Sequence, residues 1–272
     1  MLLTRRQSDS GPRWAADDRL LVPAFSLRAA LQLKRASMAP AIESLSTDEP
    51  ATGALLPPIE PDQEVWAAGV TYLKSREARV AESEASKDIY ERVYDADRPE
   101  LFPKAIGWRV SGPSQPIRVR SDAHWTVPEP ELTVVINRHL EVVGYCVGND
   151  VSSRDIEGAN PLYLPQAKIY DGSCAIGPGI AVADPGDLAG VPIELEIRRD
   201  DAVIYRDSTS TSEMKRSPQE LSAWIGRELT FPHGVFLMTG TSLVPPDEYS
   251  LRAGDEVTVR VGDLELVNPV RD

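Results

Sequence analysis

The sequence predicts a β-rich α+β protein, with a small N-terminal α+β unit over residues 1–60 and a strand-dominated body over 61–272. Three observations carry that reading. From Glu131 onward, runs rich in β-branched residues recur at strand length with turn residues between them. Helical periodicity is confined to a few stretches, so helices cover the strands rather than form regular βαβ crossovers. Between the two parts, PATGALLPPIEP from Pro50 breaks any periodicity and reads as a linker.

Within the N-terminal unit, short strand-like pieces lead to SLRAALQLKRAS from Ser26. Leu27, Ala30, Leu31 and Leu33 mark an apolar face behind a serine cap, which predicts one amphipathic helix. The body opens on EVWAAGV from Glu64, a short apolar strand. The charge-dense stretch from Thr71, with Ile89 and Val93 four apart, predicts exposed helix with loops. DRPELFPKAIG from Asp97 holds two prolines, which argues against a long regular element there. LTVVIN, VVGYCVGN, IELEIRRD, AVIYRDS, VFLMTG and DEVTVRVGD then read as strands. The first two are placed to form a hairpin around Asn137-Arg138-His139, and the next two meet at Asp200-Asp201. A late helix, PQELSAWIGREL, starts with Ser217 as cap and Pro218 in its first turn.

Lys and Arg total 29 against 42 for Asp and Glu, so the formal charge of -13 repels phosphate backbones and anionic lipid. Nucleic acid and membrane are therefore excluded as expected partners. The first ten residues are too short for a secretory apolar region, and no apolar run approaches the roughly 20 residues that a bilayer needs. The expected location is the cytoplasm. The two cysteines, Cys146 and Cys174, lack metal-binding spacing, and the three histidines form no cluster. Chemistry must then come from carboxylates, lysines or arginines.

VPEPELTVVI from Val127 supplies the most informative pattern. In an extended chain, residues two apart share a face, so Glu129 and Glu131 present their carboxylates side by side. Two like charges so close need a cation or protons. Asp150 ends the neighbouring strand, and three acidic oxygen donors suit Mg²⁺ or Mn²⁺ better than Ca²⁺. Acidic pairs at this spacing also occur on solvated strand faces. Arg154 and Lys168, close by in sequence, strengthen the case for a site: near a metal, such cations bind a substrate carboxylate, stabilise an enolate or move a proton.

The run from Glu129 to Gly179, with EPE, GNDVSSRDIE and LPQAKIYDGSCAIGP, resembles the signature of the fumarylacetoacetate hydrolase superfamily. GTSLVPPDEYSLRAGDEVTV and GDLELVNPV resemble its C-terminal segment, so the likeness spans about residues 64–270. The resemblance implies a mixed β-sandwich roll for the body, and Mg²⁺ or Mn²⁺ held by Glu129, Glu131 and Asp150. It implies a small 2-oxo acid substrate chelated by that metal, with Lys168, Arg154 and Thr241 in the active site. It also implies a homodimer or a homotetramer built as a dimer of dimers.

Relatives that hydrolyse a C–C bond carry a histidine soon after the first strand of the body. Here, with Tyr72 aligned to the family tyrosine, Ser75 stands at that position, and no histidine precedes His124. His124, just before EPE, is a candidate substitute base, although a lone histidine in a loop is more often structural or solvated. GVTYLKSREAR and GNDVSSRDIEGANPLYLPQAK are instead similar to the sugar-acid dehydratase branch, which converts a 2-keto-3-deoxy pentonate to 2,5-dioxopentanoate. Pro103 in ELFPKA departs from the pattern, where an aromatic or another apolar residue is expected, and the departure bears on how the substrate tail fits. The reading that follows has the metal acidifying the C3 proton through an enolate, with Lys168 or a carboxylate such as Glu129 taking it. Ser75, Arg76 and Lys104 would hold the substrate's tail or carboxylate, Arg154 would orient the cluster or the substrate, and residues 71–104 would close as a lid. Alternatives on the same scaffold are a C–C hydrolase of acylpyruvates, an oxaloacetate-type decarboxylase, and a non-catalytic metal-binding relative.

Overall fold

The structure is a computed structural model that describes residues 1–74 and 92–272. Ser75, Arg76 and Ile89, and with them the middle of the expected lid, lie outside the described residues; 92–95 is helical. The N-terminal part contributes β1 (Leu2–Ser8), β2 (Gly11–Ala16), β3 (Arg19–Leu21), α1 (Leu27–Ala30), α2 (Arg35–Glu43), β4 (Ser46–Pro50) and β5 (Leu55–Leu56). The body continues with β6 (Glu64–Gly69), β7 (Glu100–Ile106), β8 (Ile117–Arg118), β9 (Thr126–Val127), β10 (Pro130–Ile136), β11 (Val142–Asp150) and β12 (Ser152–Ser153). Two short helices follow, α3 (Arg154–Ala159) and α4 (Leu164–Lys168), then β13 (Cys174–Val182), β14 (Pro192–Arg199) and β15 (Ala202–Ser210). The chain closes with α5 (Pro218–Ile225), β16 (Val235–Met238), β17 (Glu256–Val261) and β18 (Leu264–Arg271).

A large sheet runs β4-β3-β2-β1-β13-β11-β10-β16-β6-β7, with β5 beside β1, and a smaller one runs β15-β14-β17-β18-β8. Both are mixed, because β16 lies parallel to β6 and β18 parallel to β8 among antiparallel pairs. Residues 1–60 enter the large sheet through β1, which pairs with β13 at Leu2–Ala181 and Leu3–Ile180.

Strand β10 is buried at every position because both of its faces are covered. Leu132, Val134 and Ile136 share one apolar cluster with Ile193, Leu195 and Ile197 of β14 and Val257, Val259 and Val261 of β17. Val135, on the other face, belongs to a second cluster with Leu31, Met38 and Ile42 of the N-terminal part. Each such side chain contributes about 1.5–3 kcal/mol on burial. A strand sandwiched this way has little freedom to shift, which matters because the acidic pair flanks its first residue.

Both expected hairpins form. β10 pairs antiparallel with β11, and β14 pairs with β15 across Asp200 and Asp201, whose φ angles are 49° and 63°. These positive values match the twist that a two-residue hairpin turn requires. Helix α5 begins as expected, with the Ser217 hydroxyl accepting from the Glu220 N–H at 3.1 Å.

Three expectations are corrected. The segment from Ser26 is not one helix: α1 stops at Ala30 and α2 resumes at Arg35. The carbonyls between them are taken by the β10–β11 turn, where the Arg138 N–H donates to Leu31 O at 2.9 Å and Asn137 Nδ2 to Leu33 O at 2.9 Å. Nor does Ser26 cap α1. Glu60 does so from a distance in sequence, accepting from the Leu27 N–H at 2.9 Å and from the Ser26 hydroxyl at 3.1 Å. Finally, Pro103 does not prevent a strand. It sits in β7, at the sheet edge, opposite a register shift between Val65 and Trp66 that leaves Lys104 as the extra residue of a bulge. Among the described residues, no helix is long and apolar enough to cross a membrane.

Candidate metal centre

Glu129 and Glu131 flank Pro130 at the start of β10, and Asp150 ends β11 directly across from them, its N–H donating to Glu129 O at 2.9 Å. The three residues are 3%, 1% and 1% exposed, and each offers an oxygen within 4.8 Å of the others. A solvated acidic face is thereby excluded.

Three buried cations surround the carboxylates. Arg154 Nη2 lies 2.9 Å from Glu129 Oε1, and Lys168 Nζ lies 2.5 Å from Glu129 Oε2 and 3.0 Å from Asp150 Oδ2. Lys104 Nζ lies 2.5 Å from Asp150 Oδ1. Glu131 instead accepts from the Gly240 N–H at 2.6 Å. Burial, and then the Asp150 and Glu129 carboxylates, push the Glu131 carboxyl well above its ordinary range, against the pull of Lys168 and the Gly240 N–H. A further positive charge in contact with the triad relieves that repulsion. Oxygen-only and buried, with Glu131 held by a main-chain N–H, the donor set fits a hard divalent cation such as Mg²⁺ or Mn²⁺.

The triad opens into a cavity also lined by Lys168, Thr241, Glu100, Phe102, Glu157 and Gly240. Lys168, at the end of α4, sits 5.8 Å from the Phe102 ring centroid. Arg154 and Glu157 share α3, and the α3–α4 pair carries both the arginine and the lysine to the carboxylates. One glycine is required by its conformation and by close approach: at Gly240, φ is +91° and a Cβ would come 2.0 Å from Thr71 Oγ1.

Of the residues singled out from sequence, Glu129, Glu131, Asp150, Lys168, Arg154 and Thr241 are brought together. Lys104 is not a wall residue: it is 0% exposed and lies beneath Asp150, which corrects its expected part in holding substrate. Its bulge position and its buried carboxylate partner draw it inward. His124 is exposed, its main-chain N–H bonded to Asp155 Oδ2 at 2.6 Å, and it stands apart from the cavity. Glu100, Phe102 and Glu157 went unnoticed in the sequence. Glu100 and Phe102 alternate along β7, a signal that the prolines obscured.

Comparison with known proteins bears on this arrangement. The profile described as fumarylacetoacetate (FAA) hydrolase C-terminal matches residues 65–271. The chain belongs to the fumarylacetoacetate hydrolase family. Within it, this chain is 52% identical over 203 residues to the "Probable 2-keto-3-deoxyxylonate dehydratase" of Haloferax volcanii, covering 73% of this chain and 68% of that protein. It is 42% identical over 219 residues to the 2-dehydro-3-deoxy-D-arabinonate dehydratase of Saccharolobus solfataricus, covering 79% and 73% respectively. Among solved structures, a 2-keto-3-deoxy-D-arabinonate dehydratase complexed with magnesium and 2,5-dioxopentanoate superposes with a TM-score of 0.85 at 33% identity, covering 100% of this chain and 99% of that one. The resemblance to this family read from EPE, GNDVSSRDIE and LPQAKIYDGSCAIGP is thus borne out, as are the likeness to its dehydratase branch read from GVTYLKSREAR and GNDVSSRDIEGANPLYLPQAK and the strand-rich mixed fold.

Proposed function

We propose that the chain is a Mg²⁺-dependent dehydratase of a 2-keto-3-deoxy pentonate, giving 2,5-dioxopentanoate. The carrying observation is the buried Glu129–Glu131–Asp150 triad with Lys168 at its edge, in a chain matched along nearly its whole length by dehydratases. A bound Mg²⁺ would supply Lewis acidity to the substrate's 2-oxo and carboxylate oxygens. Lys168, which reaches both Glu129 and Asp150, is placed to take the C3 proton once its ammonium has passed a proton to a neighbouring carboxylate or to solvent. The C4–O bond breaks with its electron pair, and the departing hydroxide takes a proton to leave as water. Glu100 and Glu157, further carboxyl groups of the wall, are the candidate donors for that proton. A proton then moves from C5 to C3, and the resulting enol gives its hydroxyl proton to C4, which leaves C5 as the aldehyde. Arg154 holds Glu129 from behind, and Phe102 and Leu164 supply the apolar wall that limits water.

The acidic balance and the two free thiols support a reducing cytoplasm, and the habit of the family supports a homodimer or homotetramer.

The purified protein is to be assayed with Mg²⁺ or EDTA against 2-keto-3-deoxy pentonates and acylpyruvates. Aldehyde formed only with Mg²⁺ is expected; pyruvate released from acylpyruvates would favour hydrolysis instead. Lys168→Ala should lower kcat by about 10²–10⁴-fold, the range for a lost general base, while Mn²⁺ binding persists. Undiminished turnover would remove Lys168 from the mechanism.

A further inference from the structure

We propose that Lys104 is a positioning residue of the metal centre, which locks the Asp150 carboxylate to the main chain of Lys168 without touching substrate. The proposal rests on reading the triad as a divalent-cation site. Lys104 is fully buried, and its ammonium donates to two main-chain carbonyls while pairing as an ion with one carboxylate oxygen. The three oxygens are Asp150 Oδ1 at 2.5 Å, Val151 O at 3.1 Å and Lys168 O. They come from the end of β11, the residue after it and the end of α4, whereas Lys104 itself comes from the far edge of the large sheet. One side chain therefore ties together two segments that deliver a metal ligand and the candidate base.

The arrangement also distinguishes the two Asp150 oxygens. Oδ1 is committed to Lys104, while Oδ2 faces Lys168 on the side shared with Glu129. A carboxylate held by one oxygen from behind keeps the other aimed, as outer partners of metal ligands generally do. The bulge supports this assignment. Inserting Lys104 as the unpaired residue between Pro103 and Ala105 turns its side chain beneath the site while β7 keeps its pairing with β6 on either side. A lysine needed only for solubility would not be buried at the end of a bulge against three oxygens.

The test is a thermodynamic cycle on the full-length, metal-stripped protein, with Mn²⁺ affinity read by electron paramagnetic resonance. Lys104→Met should weaken Mn²⁺ binding by about 10-fold or more, the loss seen when outer partners of metal ligands are removed. In an Asp150→Asn background the same change should alter affinity by about twofold or less, because Lys104 acts through Asp150. Lys104→Gln keeps a neutral donor toward the two carbonyls; it should give an intermediate loss, and it serves if Lys104→Met does not fold. Wild-type affinity in both variants, or an equal loss in both backgrounds, would overturn the proposal. Failure of the unaltered chain to bind Mn²⁺ would instead overturn the cation-site reading on which it rests.

Discussion

Among the described residues, Glu131 is the carboxylate of the triad that has no ion-pair partner of its own. Its partner is the Gly240 N–H, while burial and the neighbouring Asp150 and Glu129 raise its affinity for a proton. A carboxyl whose pKa is higher in the folded than in the unfolded chain stabilises the fold at low pH, and that stabilisation is lost as pH rises through the folded value. A divalent cation takes the ionised form. In EDTA, the melting temperature should accordingly fall as pH rises above the ordinary glutamate value near about 4.3, and the increment given by saturating Mg²⁺ should grow over the same range. Melting curves from pH 5 to 8 with each additive check this; an increment that shrinks with pH would contradict it. At this scale the sequence was informative about residue type and face. The Glu129–Glu131 spacing located the triad because extended chain alternates, and LPQAK supplied Lys168. Depth was not legible. Nothing in ELFPKA distinguishes a lysine that reaches substrate from one that lies beneath Asp150, since that depends on a bulge set by the partner strand.

Elements whose signals are local were read correctly, and those governed by distant partners were not. Ser217 caps α5 through a bond three residues away, and the Asp200-Asp201 turn lies between two strongly patterned strands. By contrast, the break between α1 and α2 is dictated by the β10–β11 turn, and the cap of α1 by Glu60, neither of which has any sequence neighbour to announce it. The same contrast yields a prediction for the β14–β15 hairpin. Asp201, with φ at 63°, bears the strain of a left-handed conformation beside another acidic residue. Arg198 Nη2 donates to its main-chain oxygen, so the side chain can be removed without losing that bond. Asp201→Gly should stabilise the protein by about 1 kcal/mol, seen in chemical denaturation as a higher midpoint at unchanged slope. A lower midpoint would mean that the aspartate side chain holds the turn.

Across the whole molecule, the apolar cluster that joins Leu3, Trp14, Leu31 and Met38 to Val135, Phe236 and Met238 crosses the boundary expected near residue 60. Together with the β1–β13 pairing, it makes the N-terminal part a cover for the sheet that bears the triad. One calorimetric transition is expected for the intact chain, and a chain lacking residues 1–60 should fail to fold; two resolved transitions would show that the parts fold separately. Cys146 and Cys174 lie inside that shared cluster, 0% and 1% exposed. Burial raises both thiols, Cys174 to about 12, so neither offers thiolate to a reagent while the fold is closed. Cys174 also pairs across the ladder with Asp150. Any thiol reagent therefore measures how often the floor beneath the carboxylates opens, and the protein carries a chemical clock at the place where its ligand would slow it.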